Sequence, residues 1–481
     1  MTAELCHLSV RGASQLIRDR KVSPVEIVEA FLDRISLCDP AIFSYITVVA
    51  EEARAAARHA EVEIMQGRWR GPLHGLPYGL KDNFYTAGIR TTAASRLLLD
   101  FVPDVDATAH RKLEDAGAIL LGKLNTYEYG TGTGAVHFDL PFPAARNPWN
   151  TAHFTGGSST GAGAAVAAGT AMFALGTDTG GSVRLPASGC GVAGLKPTYG
   201  RVSRAGIQPN CWTLDHVGPL AWSVDDLAAI LQAIAGWDPK DPASADKALP
   251  NYSIALGQDL RGVRIGVVRR FHEQDVSSAP EVATAFDKAL DALRGTGAEL
   301  VELDLEFSLQ DFRNCSRVIN VSESFSIHER EFHEQHAKMG RALREKMSAG
   351  LFVRAADYLR AQRWRRELAI GVDELFASCD VVVCAGSPHP APRFDDEEAV
   401  VRFTTESAMA VFNISGHPAL AVCSGFSQSG MPLNVQFAAR HWEEPTLLRV
   451  GSAFERATPW RQRRPDCGTT VRGRSRGEAT C

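Results

Sequence analysis

Gly156-Gly157-Ser158-Ser159-Thr160-Gly161, the apolar run 162–175, and then Gly176-Thr177-Asp178-Thr179-Gly180-Gly181-Ser182 form the stretch on which the reading of this chain turns. Two serine-bearing glycine loops bracket a segment long enough for one helix and one strand. Twelve of the 45 residues 156–200 are glycine, against 42 in the 481-residue chain. Such density could mark a flexible linker, but Ala162–Ala168 and Met172–Leu175 are apolar and well patterned. The stretch therefore predicts a core segment whose backbone makes close approaches.

Working outward, helices alternate with short apolar runs, which predicts an α/β sheet with parallel pairs. Upstream, Ser23-Pro24-Val25-Glu26 carries a capping hydroxyl, a proline at the first helical position and a glutamate at the third. The helix it opens is expected to stop at Asp39-Pro40. A second helix is expected over 51–66 and a third over 107–116, with a strand at 118–121. The segment 71–77 reads as irregular and leads into Lys81-Asp82-Asn83. Downstream, Ser223 caps a helix to Gly236, and 238–260 reads as a surface connection. Strands are expected at 263–268, 300–305, 380–384, 418–422 and 433–437. Helices are expected at 280–293, through a long charged region over 322–376, and at 443–456. No repeat or domain break is visible.

Composition narrows the function classes. A net charge of −5 lacks the basic footprint of a nucleic-acid binder. An apolar share of 45% and a charged share of 22% exclude a disordered chain. No apolar run approaches the ~18–20 residues of a spanning helix, and the N-terminus does not read as a signal peptide. Ten scattered cysteines without a C-x-x-C are too sparse for a disulfide scaffold. The expected setting is the cytoplasm.

A serine nucleophile needs an exposed hydroxyl, a base, and backbone N–H groups aimed at the developing oxyanion. Gly180 and Gly181 leave their N–H groups unshielded before Ser182, so that loop meets the third need. On spacing alone, catalysis and two tight structural turns stand as equal readings. A distant histidine or Lys81 could be the base, and a lone lysine is more often a surface residue. Arg184, two residues past Ser182, reads either as a substrate anchor or as an ion pair with Asp178 that holds the loop; the ion pair is favoured. Three other patterns carry little. Gly157-Ser158-Ser159-Thr160-Gly161 matches G-x-S-x-G, but no buried strand precedes it. Gly189–Gly194 matches G-x-G-x-x-G, but Leu195-Lys196-Pro197 opens no helix. His328, His333 and His336 read as a solvated polar face.

The chain resembles the amidase signature family of serine hydrolases. The resemblance rests on a colinear series: Gly75-Leu76-Pro77-Tyr78-Gly79-Leu80-Lys81-Asp82-Asn83, Gly122-Lys123-Leu124-Asn125 through Glu128, Asn147-Pro148-Trp149, the two glycine loops with Val183-Arg184-Leu185-Pro186-Ala187, and Gly194-Leu195-Lys196-Pro197-Thr198-Tyr199-Gly200-Arg201. Asn413 to Pro418 and Gly430 to Gln436 complete it, while 238–380 fits only loosely. The sequence departs from the family pattern at Thr160-Gly161-Ala162-Gly163 and at Val422-Cys423-Ser424.

The resemblance implies one α/β domain over 1–461, built on a large, mixed, mostly parallel sheet with helices on both faces. Within it, 238–380 is a variable, substrate-shaping elaboration; the basic, Gly-rich composition from Gln462 onward separately predicts a disordered tail over 462–481. It implies a triad of Lys81 as base, Ser158 as a bridging serine in a cis peptide, and Ser182 as nucleophile. The oxyanion hole would use backbone N–H groups of Thr179, Gly180, Gly181 and Ser182. Asp178 and Arg184 would support the loop or the substrate. No metal or cofactor is implied. The expected partner is a small-molecule amide, with no nucleic acid and no membrane, and a homodimer stays open. The expected activity is hydrolysis of a carboxamide through an acyl-enzyme. The alternatives are a carbamate or aryl-acylamide hydrolase, or the glutaminase subunit of a tRNA-dependent amidotransferase.

Overall fold

The structure is a computed structural model describing residues 2–131 and 139–466. In chain order the strands are β1 (Tyr45–Val48), β2 (Pro77–Lys81), β3 (Ile119–Leu124), β4 (Phe173–Asp178), β5 (Ala193–Lys196), β6 (His216–Ala221), β7 (Arg264–Val267), β8 (Glu299–Glu302), β9 (Val381–Ala385), β10 (Ala419–Phe426) and β11 (Pro432–Ala439). They form one sheet in the order β1-β3-β2-β4-β6-β5-β10-β11-β9-β7-β8.

The sheet is mixed, as expected, but parallel pairs are not the majority. Six of the ten strand pairings are antiparallel. Parallel pairing needs a crossover connection. Such crossovers exist at the two wings: β2 reaches β3 through the helix Thr108–Asp115, and β7 reaches β8 through Pro280–Gly295. The centre is different. There β10 and β11 form a hairpin whose turn closes with Gly430 N–H donating to Ser427 C=O at 2.9 Å, and β6 runs antiparallel to both β4 and β5.

Both faces of the sheet are covered, and the strands show it by their period of two. On β9, Val381, Val383 and Ala385 pack into the larger core with the helices Pro280–Gly295 and Glu444–Ala457. The intervening Val382 and Cys384 pack into a second core with Leu309–Gln335 and Ala355–Leu375. Residues of the loosely matching middle therefore extend the same sheet through β7 and β8.

Several local expectations need correction. The helix opened by Ser23 has both halves of its capping box, Glu26 N–H to Ser23 Oγ at 3.1 Å and Ser23 N–H to Glu26 Oε2 at 2.8 Å. It does not stop at Pro40 but runs Pro24–Ile42. A proline this close to the end forfeits only one ladder bond, and Phe43, in the left-handed region, closes the helix by donating to Asp39 C=O at 2.8 Å. His328 is not solvated: it is buried with its ring 4.4 Å from that of Tyr129, whereas His333 and His336 are exposed. The described part of the basic tail is seated, with Arg463 stacked 4.1 Å above Phe426 and Arg464 3.8 Å above Trp222. Residues 467–481 lie outside the described residues. Among the described residues no helix is long and apolar enough to cross a membrane.

Candidate active site

The parallel wing places the site. In β2 and β4, Leu80 stands opposite Leu175, so the carboxyl ends of both strands emerge at one edge of the sheet. Ligands of α/β sheets characteristically bind at such an edge. Lys81 ends β2, Asp178 ends β4, and Ser182 follows in the turn before the helix Arg184–Cys190. The first serine loop approaches from the side and leads into the helix Thr160–Ala168. The two loops are tied by Ser159 N–H donating to Ser182 C=O at 3.2 Å. The peptide Gly157–Ser158 is cis.

The close approaches foreseen from glycine content have named causes here. A Cβ on Gly157 would run into the ring of Tyr127. One on Gly181, whose φ is +122°, would meet Met409 Cβ at 2.6 Å, whereas one on Gly180 would meet nothing within 4 Å. Gly180 therefore presents bare backbone to the open side of the loop.

Lys81 is completely buried. Its Nζ lies 2.8 Å from Ser158 Oγ and 2.8 Å from Thr177 Oγ1. Asn83 Nδ2 donates to the same threonine hydroxyl at 3.2 Å. Burial pushes the Lys81 amine down to about 7, against the opposing pull of Asp215 and Asp178. The neighbouring Asp82 does not restore the charge, because its carboxylate pairs with buried Lys123 at 3.2 Å and accepts from Thr92 N–H at 2.9 Å.

Ser158, Thr179, Gly180 and Ser182 all line one cavity of about 540 Å³. This is within the usual range for a small-molecule site. The expected oxyanion donors divide. Gly181 N–H is turned to Asp178 Oδ1 at 2.8 Å and serves the loop, not the cavity. A carboxylate at the end of β4 captures whichever donors face it, which the sequence does not reveal. Those of Thr179, Gly180 and Ser182 have no acceptor among the described residues.

Arg184 is not a substrate contact. It is wholly buried, with Nε and Nη2 on the Asp178 carboxylate at 3.0 and 2.9 Å. Its remaining donors reach Gln436 Oε1 and Asn413 Oδ1, both at 2.6 Å. Burial alone would raise the Asp178 carboxyl, but the Arg184 charge and its hydrogen bonds outweigh this and hold it well below the usual range. Asp178 in turn accepts from Val183 N–H at 3.1 Å, so the pair clamps the loop that carries Ser182. Replacing Arg184 with alanine strands a buried carboxylate and is expected to cost about 3–5 kcal/mol. Urea unfolding checks this; an unchanged midpoint would mean that the pair does not hold the fold.

Ser159 is ruled out as an exposed nucleophile, since it is buried with its Oγ donating to Thr177 C=O at 3.3 Å. The glycine pattern 189–194 closes a helix and enters β5, so no helix opens on it. Among the described residues, Asp373, His417 and His441 offer ligand atoms within 4.8 Å of one another. His417 Nε2 and Asp373 Oδ1 are 3.0 Å apart, an ordinary histidine–aspartate contact, and none of the three lines the cavity.

Sequence reading missed the holders of Lys81. Thr177 sits inside the quoted glycine loop, yet nothing local marks it as a partner of a lysine 96 residues away. It also missed three cationic residues of the cavity lining: Lys346, within the region read only as charged and helical, and Arg313 and Arg317, upstream of it on a helix that begins at Leu309 rather than near 322.

Comparison with known proteins agrees with this architecture. A glutamyl-tRNA(Gln) amidotransferase subunit from Moorella thermoacetica is 37% identical over 489 residues, covering 97% of this chain and 99% of that protein. The native peptide amidase of Stenotrophomonas maltophilia superposes with a TM-score of 0.86 at 32% identity, covering 96% of this chain and 99% of that one. A structure described as revealing the evolutionary origins of an s-triazine catabolic enzyme, through an unexpected vestigial complex, gives 0.87 at 32%, covering 96% and 100%. The family model for amidases matches residues 26–448, and with a site of this architecture the chain belongs to the amidase signature family.

Proposed function

We propose that the protein hydrolyses the C–N bond of a carboxamide through an acyl-enzyme on Ser182. The observation that carries this reading is the buried Lys81 amine, 2.8 Å from a serine that shares a cavity with Ser182. Ser182 Oγ attacks the carbonyl carbon while its proton passes to Ser158 and the Ser158 proton passes to neutral Lys81. The N–H groups of Thr179, Gly180 and Ser182 stabilise the oxyanion. On collapse the proton returns through Ser158 to the leaving nitrogen, and ammonia or an amine departs. Water then attacks the ester by the same relay, freeing the acid and Ser182. The eight described cysteines are buried and none is in a disulfide, which supports a cytoplasmic setting.

Replacing Ser158 with alanine is expected to lower kcat/KM by ~10²–10⁴-fold yet leave measurable turnover, since a water can stand in for a proton relay. Full activity in that variant would remove Ser158 from the mechanism.

A second reading has support of its own. The curated relatives, among them the Moorella protein, are named as subunits of glutamyl-tRNA(Gln) amidotransferase. They favour a glutaminase that works within a multisubunit complex over a free-standing small-amide hydrolase. Among the solved structures, the peptide amidase favours hydrolysis of a simple amide, whereas the s-triazine-related structure is itself described as a complex. Both readings use the same serine chemistry. Ammonia release by the purified chain on a panel of simple amides supports the free-standing enzyme. Release from glutamine only after copurifying protein subunits are restored supports the other.

A further inference from the structure

The cavity that holds the serines is also lined by cationic side chains. Arg313 and Arg317 stand one turn apart on the helix Leu309–Gln335, and both line the cavity that holds Ser158 and Ser182. Lys346, from the helix Arg341–Gly350, lines it as well. The acid that shares the lining is Glu345, which is exposed and lies 3.5 Å from Arg341.

The positive charges are not otherwise spent. Among the described residues Arg317 has no hydrogen-bond or ion-pair partner. Arg313 is half-buried; Glu406 attracts it electrostatically, but no described acceptor lies within hydrogen-bond reach, and Glu406 itself contacts His389 at 3.2 Å. Lys346 is buried and bonded to neutral oxygens, Asn210 Oδ1 at 2.8 Å and Ser324 Oγ at 2.6 Å. Arg317 is exposed and Arg313 only partly withdrawn from water, so the donors of both stay open to solvent and to the cavity they line. A guanidinium with unoccupied donors beside a reaction cavity is therefore suited to an incoming anion, and its planar fork matches a carboxylate. Leu185, Val401 and Ala410 line the same cavity and give it apolar surface fit for a methylene chain.

We propose that the substrate is an amide bearing a remote carboxylate, which Arg313 and Arg317 hold while the amide carbon lies against Ser182. This rests on the amidase reading above. The carboxylate can belong to the acyl part, as in a dicarboxylic acid monoamide, or to the amine part, as in an N-acyl ω-amino acid. Both present the same chemistry to the arginines.

The test measures kcat/KM for monoamides of four- to eight-carbon dicarboxylic acids and for N-acetyl ω-amino acids. Each is set against an uncharged amide of matched length. The best carboxylate-bearing substrate should exceed its neutral partner roughly 10- to 100-fold, the range of one or two charge-assisted hydrogen bonds. The better of the two series tells which part carries the charge. Arg313→Gln and Arg317→Gln should each shrink that ratio, chiefly through KM, and the double variant should bring it close to one. The ratio is insensitive to how much enzyme is folded. In parallel, glutarate binding to the wild-type and double-variant proteins is followed by calorimetry. Hydrolysis of neutral amides with no gain from a carboxylate, and no glutarate binding, overturns the anchor and leaves the amidase reading standing. Arginine-dependent glutarate binding without hydrolysis of any amide keeps the anchor and overturns the amidase reading.

Discussion

Ser182→Ala is expected to lower kcat by on the order of 10⁶-fold, the scale seen when a serine hydrolase loses its nucleophile. Without that hydroxyl no covalent intermediate forms, so residual turnover comes only from oriented binding and the backbone donors of the loop. The same experiment has a chemical form. A fluorophosphonate should modify Ser182 in the wild-type protein and nothing in the variant. Mapping needs care, because no lysine or arginine lies between Arg146 and Arg184, and trypsin leaves Ser158, Ser159 and Ser182 on one peptide. Cyanogen bromide cleavage at Met172 separates them. An adduct on the fragment with Ser158 and Ser159 would move the nucleophile to the first glycine loop and sink the assignment. The buried position of Ser159, bonded to Thr177, argues for the fragment with Ser182.

Lys81→Arg is expected to be as damaging as Lys81→Ala, with each losing ~10²–10⁴-fold in kcat/KM. A lysine that works by basicity must be neutral, and burial brings Lys81 down to about 7. The protonated form cannot accept the Ser158 proton, so the wild-type rate is low at acidic pH, rises through an ionisation near pH 7, and levels off above it. Arginine keeps the charge but does not deprotonate in this range, so it cannot supply the rising limb. Lys81→Met, close in size and uncharged, separates lost basicity from lost packing: it should fold and stay inactive at every pH. An active Lys81→Arg enzyme would show that the position supplies charge rather than a base. A wild-type profile flat from pH 5 to 9 would equally remove Lys81 as the titrating group.

What could be read from the chain before its folding was known was the content of contiguous motifs. The glycine loops with Ser182 and the Asp178–Arg184 pair are near one another in sequence, whereas Lys81 and Ser158 were assigned their roles only by the colinear series of motifs that carries the family resemblance. The helices capped at Ser23 and Ser223 were legible for a related reason, since a cap and a periodic face are local signals. Elements without a local signal were not legible. β2 follows a Gly- and Pro-rich segment and contains Gly79 and Lys81, and β6 contains Gly218 and Pro219, so neither has the β-branched run that marks a strand.

The tertiary structure alone decided the sheet order, and with it everything that depends on distant neighbours. Strand order brings Thr177 to Lys81, sends the Asp82 carboxylate to Lys123 and lets Asp178 take the Gly181 N–H. It also brings Arg313 and Arg317, which the sequence reading left outside any predicted element, to the cavity of the serines. The sequence, through its family resemblance, supplied the residues proposed to do the chemistry. Their protonation states and donor directions follow from burial and pairing, and those are properties of the packed chain, not of any window of residues along it.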